Sequence, residues 1–213
     1  MRRVYVLCEG QTEERFIQSV LSSYLAVKGV ILIPIIIATK RTLSEKFKGG
    51  IVSYERQIKK EILLLCGQHP NEMVTTMIDY YGLPDDVPLV QDHFPNPYDK
   101  VSAIEEEIER DINRRNFFCY ISLHEFESLL FANTSAFGCI ADENAVRKLT
   151  DMKNQFGNAE LINNSFETAP SKRISKTIST YSKTLHGTRL ASIIGVEKMK
   201  SECAHFSQWI ERL

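Results

Sequence analysis

Apolar and polar positions alternate between two periods along the first 132 residues. Val4 to Cys8 is an unbroken apolar run, the pattern of a strand buried on both faces. Gln11-Thr12-Glu13-Glu14 then opens a helix, with Thr12 as the expected N-cap and two acids at the positive end of the helix dipole. Phe16, Ile17, Val20, Leu21, Tyr24 and Leu25 follow at helical spacing, and Gly29 stops the helix. Val30 to Ile37 predicts a second strand. Ile51, Tyr54, Ile58, Ile62 and Leu65 mark one face of a helix ending near Cys66. Glu72 to Asp79 predicts the third strand, and Val101, Ile104, Ile108 and Ile112 the inner face of a helix over 99–114. Phe117 to Leu123 predicts the fourth strand, with a helix from His124.

Strand and helix thus alternate four times, which predicts an α/β fold: a mainly parallel four-stranded sheet flanked by helices. Beyond Asn133 the strand pattern fades. Helical stretches near 143–156, 171–185 and 196–212 predict a helical C-terminal section, so the core is 1–132 and the extension 133–213, packed as one structural domain. Between Tyr80 and Tyr98 lies a long loop carrying Pro84, Pro88, Pro95 and Pro97, the kind of segment that contacts a substrate or partner.

Composition adds little to this pattern. The 213 residues, 43% hydrophobic and 25% charged, suffice for a full core. A net charge of −1 gives no global attraction to nucleic acid or membrane, so a polyanion would need a local patch. The apolar run after Arg2 and Arg3 is too short for a signal peptide, and Val30 to Ala38 is far short of the roughly 20 residues that span a bilayer. The five cysteines form no C-x-x-C pair, which excludes the common zinc and thioredoxin motifs. The expectation is a cytoplasmic protein with structural thiols and no membrane partner.

The acids fall where a parallel sheet gathers residues. Glu9 follows the first strand, Glu13 stands one turn into the next helix, Asp79 ends the third strand, and Glu125 and Glu127 follow the fourth. Strand ends on one edge converge. Clustered carboxylates repel, so such a site needs a cation or a proton, and oxygen-only ligands favour Mg²⁺ or Mn²⁺ over zinc. The bland alternative is a set of solvated helix-start acids. His124 offers a ligand, a base or an orienting group beside Glu125, or else a satisfied residue at a strand end. The stretch from Pro170 to Lys200 holds Lys172, Arg173, Lys176, Lys183, Arg189, Lys198 and Lys200 against Glu197, with Tyr181 and His186 interleaved. It reads either as a nucleic-acid surface or as a solvated helix face. Trp209, with Phe206 and Ile210, reads as a core-closing helix face. Walker, dinucleotide and G-x-S-x-G motifs are absent.

Cys8-Glu9-Gly10-Gln11-Thr12-Glu13 resembles the V-E-G-x-T-E start of TOPRIM domains, the metal-binding fold of topoisomerases, primases and OLD-family nucleases. Together with Asp79-Tyr80-Tyr81-Gly82-Leu83-Pro84, His124-Glu125-Phe126-Glu127 and Pro170-Ser171-Lys172-Arg173, it resembles a TOPRIM-like prokaryotic family often encoded beside an ABC- or AAA-type ATPase, in operons that look like antiphage defence. The resemblance implies Glu9 and Glu13 as the first pair of metal ligands, Asp79 as the first Asp of D-x-D, and Glu125 or Glu127 as the last acid. It implies Lys172 as a phosphate-contacting base. Tyr81 replaces the second acid of D-x-D, which leaves open a one-metal enzyme or an inactive descendant.

The resulting expectation is a Mg²⁺- or Mn²⁺-dependent nuclease acting on DNA or RNA. Glu9, Asp79 and Lys172 are its catalytic residues, Glu13, Glu125 and Glu127 further metal ligands, and Lys172, Arg173, Lys176, Lys183 and Arg189 the nucleic-acid surface. An ATPase partner and a homo-oligomer are both admitted. The rival is a non-catalytic binding or regulatory subunit of the same fold; a third reading is an enzyme of small phosphorylated substrates.

Overall fold

The computed structural model describes residues 1–37, 50–163 and 165–213. In chain order the strands are β1 (Arg2–Cys8), β2 (Val30–Ile36), β3 (Met73–Asp79), β4 (Phe117–Phe118) and β5 (Ile121–Ser122). The helices are α1 (Gln11–Phe16), α2 (Ser22–Ala26), α3 (Lys60–Gln68), α4 (Pro97–Ile112), α5 (Glu143–Phe156), α6 (Pro170–Thr177), α7 (Lys183–Ile194), α8 (Val196–Glu202) and α9 (Ala204–Arg212). A π-helical turn, Ile17–Leu21, joins α1 to α2, and another, Tyr54–Lys59, leads into α3.

The sheet order is β2-β1-β3-β4, with β5 also on β3, and every pairing is parallel. Val4, Val6 and Cys8 enter a core layer shared with Phe16, Leu21 and the C-terminal helices, while Leu7 enters the opposite layer with Ile62, Ile104 and Ile108. That two-sided burial is why β1 has no polar residue between Val4 and Cys8. From β1 the chain crosses to β2 on one side, then returns to β3 on the other. The gap between the ends of β1 and β3 is therefore the topological switch point, where open α/β sheets place their sites.

Several expected boundaries move. Gly10 (φ −157°), not Thr12, is the N-cap of α1, and Thr12 is buried. The fourth strand is split at Cys119–Tyr120. There the Thr76 hydroxyl accepts from the Tyr120 amide (2.8 Å) and donates to the Tyr120 carbonyl (2.7 Å). The amides of Cys119 and Ile121 donate to Glu109 and Glu105 of α4 at 2.9 and 2.6 Å, which closes that sheet edge to further pairing. The helix expected from His124 is instead a 3₁₀ segment, Phe126–Cys139, kinked at Asn133. The helix over 99–114 starts earlier, at Pro97, because the Asn96 side chain accepts the Tyr98 amide.

The stretch read as one helix over 171–185 is two, α6 and α7, parted where Ile178 turns inward. The stretch over 196–212 breaks at buried Cys203. There the Glu160 carboxylate accepts the His205 and Phe206 amides at 3.0 and 2.9 Å and caps α9 from a distance. Trp209 closes the core as expected: it stacks on Tyr120 at 4.4 Å and donates to the Thr75 hydroxyl at 3.1 Å. All five cysteines are free, and Cys139 alone among them is exposed. No described helix is long and apolar enough to cross a membrane.

Candidate active site

The end of β1 carries Glu9 and the end of β3 carries Asp79, on the two sides of the switch point. Gly10 turns the chain tightly into α1, so Glu13 folds back. One of its oxygens accepts the Gly10 amide at 3.1 Å, and the other faces the site. Beyond β5, His124 adopts a left-handed φ of +69° and reverses the chain. The Phe126 amide then donates to Asp79 Oδ1 at 2.8 Å, which locks the loop to β3 and carries Glu127 into the interior. Glu127 is fully buried, and Glu13 and Asp79 nearly so.

The ammonium of Lys183, the first residue of α7, stands among these acids. Its Nζ lies 3.1 Å from Asp79 Oδ2, 3.2 Å from Glu127 Oε2 and 3.4 Å from Glu13 Oε1. One turn further along α7, Gly187 explains how the helix comes so close. A Cβ there would lie 3.2 Å from Phe126 Cε1 and 3.7 Å from Thr12 Cγ2. Arg15 adds a tie by donating to the Thr184 carbonyl at 3.1 Å. Tyr181 donates its hydroxyl to Glu127 Oε1 at 3.4 Å.

Electrostatics follow from this crowding. Burial, together with the Asp79 and Glu13 carboxylates, pushes the Glu9 carboxyl up to about 8, against the pull of Lys183. Burial and the Asp79 carboxylate likewise raise Glu13. Burial pushes Glu127 up to about 7 although Lys183 opposes it. Burial draws the Lys183 ammonium down, but Asp79, Glu127 and Glu13 more than offset it, so Lys183 stays charged well above the ordinary lysine range.

Glu9 is held differently. Its Oε2 is buried without a hydrogen bond and lies against the backbone of Gly82, where a Cβ would stand only 2.1 Å away. Glu13 Oε1 and Glu127 Oε2 are also buried without a hydrogen bond, although each faces Lys183. These oxygens, all from carboxylates, have the chemistry of a hard divalent cation's ligands. Among the described residues, however, no three acidic, His or Cys side chains already stand at metal-holding geometry. The point that Glu13, Asp79 and Glu127 share is taken by the Lys183 ammonium.

Other expected site residues lie elsewhere. Glu125 accepts the Ser171 amide at 2.9 Å, at the start of α6. Lys172 is 3.5 Å from Glu167 and 3.8 Å above the Phe166 ring, not at the acids. Arg173 donates to the Thr168 carbonyl and covers the Phe156 ring. Lys176 and Arg189 are exposed. Lys198 pairs with Glu202, and Lys200 with Glu211. Half-buried Tyr181 and His186 turn toward Glu127 and the Ser182 amide, so neither forms part of an open basic surface. His124 has its ring against Asn163, 3.2 Å from Nδ1, and burial lowers it to about 4, so it is neutral at pH 7. A cavity of about 750 Å³ lined by Ile51–Ser53, Glu55, Arg56 and Leu83–Asp86 shares the loop after Gly82 but contains none of the four acids.

Lys183 is the residue whose place the sequence pattern did not give. In sequence it reads as one more basic residue of a patch; the only local hint is the small residue Gly187, one helical turn away on the same face.

Fold and site together define a parallel α/β domain with an acidic cluster and a half-buried lysine at its switch point. The chain belongs to the family described as "Domain of unknown function (DUF4276)", whose model matches residues 8–213. No curated protein matches the chain. Among solved structures it is similar to the C-terminal region of the OLD protein of Xanthomonas campestris pv. campestris, at 15% identity and a TM-score of 0.38, over 99% of this chain and 94% of that one. A likeness at that level leaves the functional reading to the site itself.

Proposed function

We propose that this chain is a divalent-metal-dependent hydrolase of nucleic-acid phosphodiesters, using Mg²⁺ or Mn²⁺ held by Glu9, Glu13, Asp79 and Glu127. The observation that carries the reading is the excess of acid at the switch point: four carboxylates against one ammonium, with Glu9 Oε2 buried and unpartnered. Such a cation would supply charge neutralisation for the carboxylates and Lewis acidity toward a phosphoryl oxygen. Glu9, its carboxyl pushed up to about 8 by burial and by Asp79 and Glu13, holds a proton at neutral pH that a bound cation would displace. Lys183, kept cationic, is suited to the negative charge on a phosphate group. Asp79 is fixed by the Phe126 amide and orients rather than moves.

The motif resemblance to TOPRIM domains, from Glu9 to the Pro170-Ser171-Lys172-Arg173 stretch, supports the same chemistry. It also supports a finer reading, in which an ABC- or AAA-type ATPase gates the hydrolase as the effector of an antiphage system. Glu125 enters this scheme as a support for α6, because its carboxylate is engaged by the Ser171 amide.

Thermal unfolding with and without millimolar Mn²⁺, for wild type and Asp79→Asn, tests the proposal ahead of any cleavage assay. A native-state ligand at about 100 times its Kd adds roughly 2.7 kcal/mol. The expected result is a clear rise in midpoint for wild type, largely lost in the variant. If wild type does not respond, the metal-dependent reading is wrong.

A second reading has its own support. Three ion pairs at 3.1–3.4 Å make Lys183 a resident counter-ion, and Tyr81 stands where a second acid would be expected. On that reading the chain is a binding subunit, and Mn²⁺ leaves its unfolding unchanged.

A further inference from the structure

Next to the acids runs a row of aromatic rings bracketed by lysines. Tyr80 and Tyr81 follow Asp79 directly, and their rings are 5.6 Å apart. Phe166 meets Tyr81 edge-on at 5.4 Å and 86°. Lys100 Nζ lies 5.4 Å from the Tyr80 ring and Lys172 Nζ 3.8 Å from the Phe166 ring. The row is braced from behind: His124 stacks on Tyr81 at 5.7 Å and accepts the Tyr81 amide on its carbonyl, and Asn163 bonds both the Tyr81 hydroxyl and His124 Nδ1.

Phe166 is 55% exposed at the end of this braced row, so an apolar ring is held up to solvent instead of being folded into the core. A half-exposed phenylalanine gains little from burial, and its ring meets the Tyr81 ring and the Lys172 ammonium. Over 165–177 the charges are Lys172, Arg173 and Lys176 against Glu167, a net of +2 beside a strongly acidic centre. Rings flanked by cations match the chemistry of unpaired bases and their phosphates, since every base has a stacking face and every link a negative charge. Bases within a duplex are already stacked on their neighbours and cannot use such a row. A protein partner would be served by the rings but gives the lysines no regular anion.

We propose that the row Tyr80–Tyr81–Phe166, between Lys100 and Lys172, stacks unpaired bases of a single-stranded nucleic acid and directs the adjoining phosphodiester toward Glu9 and Asp79. The second half rests on the hydrolase reading above; the first half is measured independently of it. Tyr81 then has a use that a second metal-binding acid at its position would not have.

Fluorescence anisotropy in EDTA, with labelled single-stranded DNA, single-stranded RNA and a hairpin duplex, tests binding without cleavage. Wild type binds at least one single strand more tightly than the duplex. Phe166→Ala weakens that binding by about tenfold or more, the scale of one lost base–aromatic stack. Phe166→Trp restores it and Phe166→Leu does not, which separates stacking from mere apolar contact. Equal or tighter duplex binding, no binding at all, or a Phe166→Ala variant as tight as wild type overturns the proposal. Failure of the metal reading shows instead in the Mn²⁺ unfolding shift, which Phe166→Ala leaves at the wild-type value.

Discussion

Gly82→Ala isolates the Glu9 carboxylate with a single methyl group. Gly82 has no left-handed backbone, so alanine is compatible with its conformation; the difficulty is space. The new Cβ would lie 2.1 Å from Glu9 Oε2, 2.6 Å from its Cδ and 2.8 Å from its Oε1, whereas real Cβ contacts do not fall below 3.0 Å. Oε2 must therefore retreat by at least 0.9 Å (3.0 − 2.1). Asp79 and Glu13 repel it on the site side, so it swings away from them. Overpacking costs about 1–3 kcal/mol, and the loss of glycine's unfolded-state freedom returns about 0.4–1 kcal/mol. The net is a loss of about 0–2.6 kcal/mol, or at most about 10 °C in midpoint for a chain of this size.

The functional loss is larger, because a misplacement of about 1 Å in a reacting group costs on the order of a hundredfold. In thermal unfolding, Gly82→Ala accordingly stays folded but loses most of its Mn²⁺ response. A double-mutant cycle supplies the control. In a Glu9→Ala background the clash is gone, and Gly82→Ala becomes neutral or stabilising. A cost that persists in the Glu9→Ala background, or a full Mn²⁺ response in Gly82→Ala, refutes the assigned contact.

Two further outcomes follow from the same geometry. Lys183→Met leaves Asp79, Glu13 and Glu127 facing one another without their counter-charge. Breaking a buried pair costs about 3–5 kcal/mol, and since a third of this side chain is exposed the expected loss in EDTA is about 2 kcal/mol, with a larger Mn²⁺ rescue than in wild type; denaturant unfolding reads both. Trp209→Phe removes the indole hydrogen bond to Thr75 while keeping the ring stack on Tyr120. It lowers denaturant stability by about 1–2 kcal/mol, part of which returns when Thr75→Val removes the orphaned hydroxyl.

What the sequence disclosed follows the range of the forces involved. β1 and β2 are mainly apolar and β3 mixes apolar residues with β-branched threonines, each flanked by helices of regular period, so local pattern located them within a residue or two. The break at Cys119–Tyr120 was not legible, because both residues suit a strand. The Tyr120 amide is diverted to Thr76, 44 positions away, and the Cys119 amide to Glu109 on α4. The break at Cys203 has no local glycine or proline either; it is stabilised by Glu160 accepting the His205 and Phe206 amides. In the site, Glu9, Glu13 and Asp79 were legible because parallel strands must end on one edge. Lys183 was not. Its partner Asp79 is 104 residues away, and only the packing of α7 through Gly187 brings the two together.

That placement bears on whether the cluster is a relic. A lysine that merely replaced a metal would be expected to leave a balanced set, since unneutralised carboxylates in a buried site cost stability. Here one ammonium faces Asp79, Glu13 and Glu127, with Glu9 alongside, so ionisation of all four leaves a net charge of −3. Protonation meets part of that excess, at Glu9 near 8 and Glu127 near 7, where burial raises both carboxyls against the pull of Lys183. A cation bound there would take the place of those protons. The excess acid, more than any single residue, therefore argues for the metal-dependent enzyme over the binding subunit, and the Mn²⁺ response of Lys183→Met weighs the two directly.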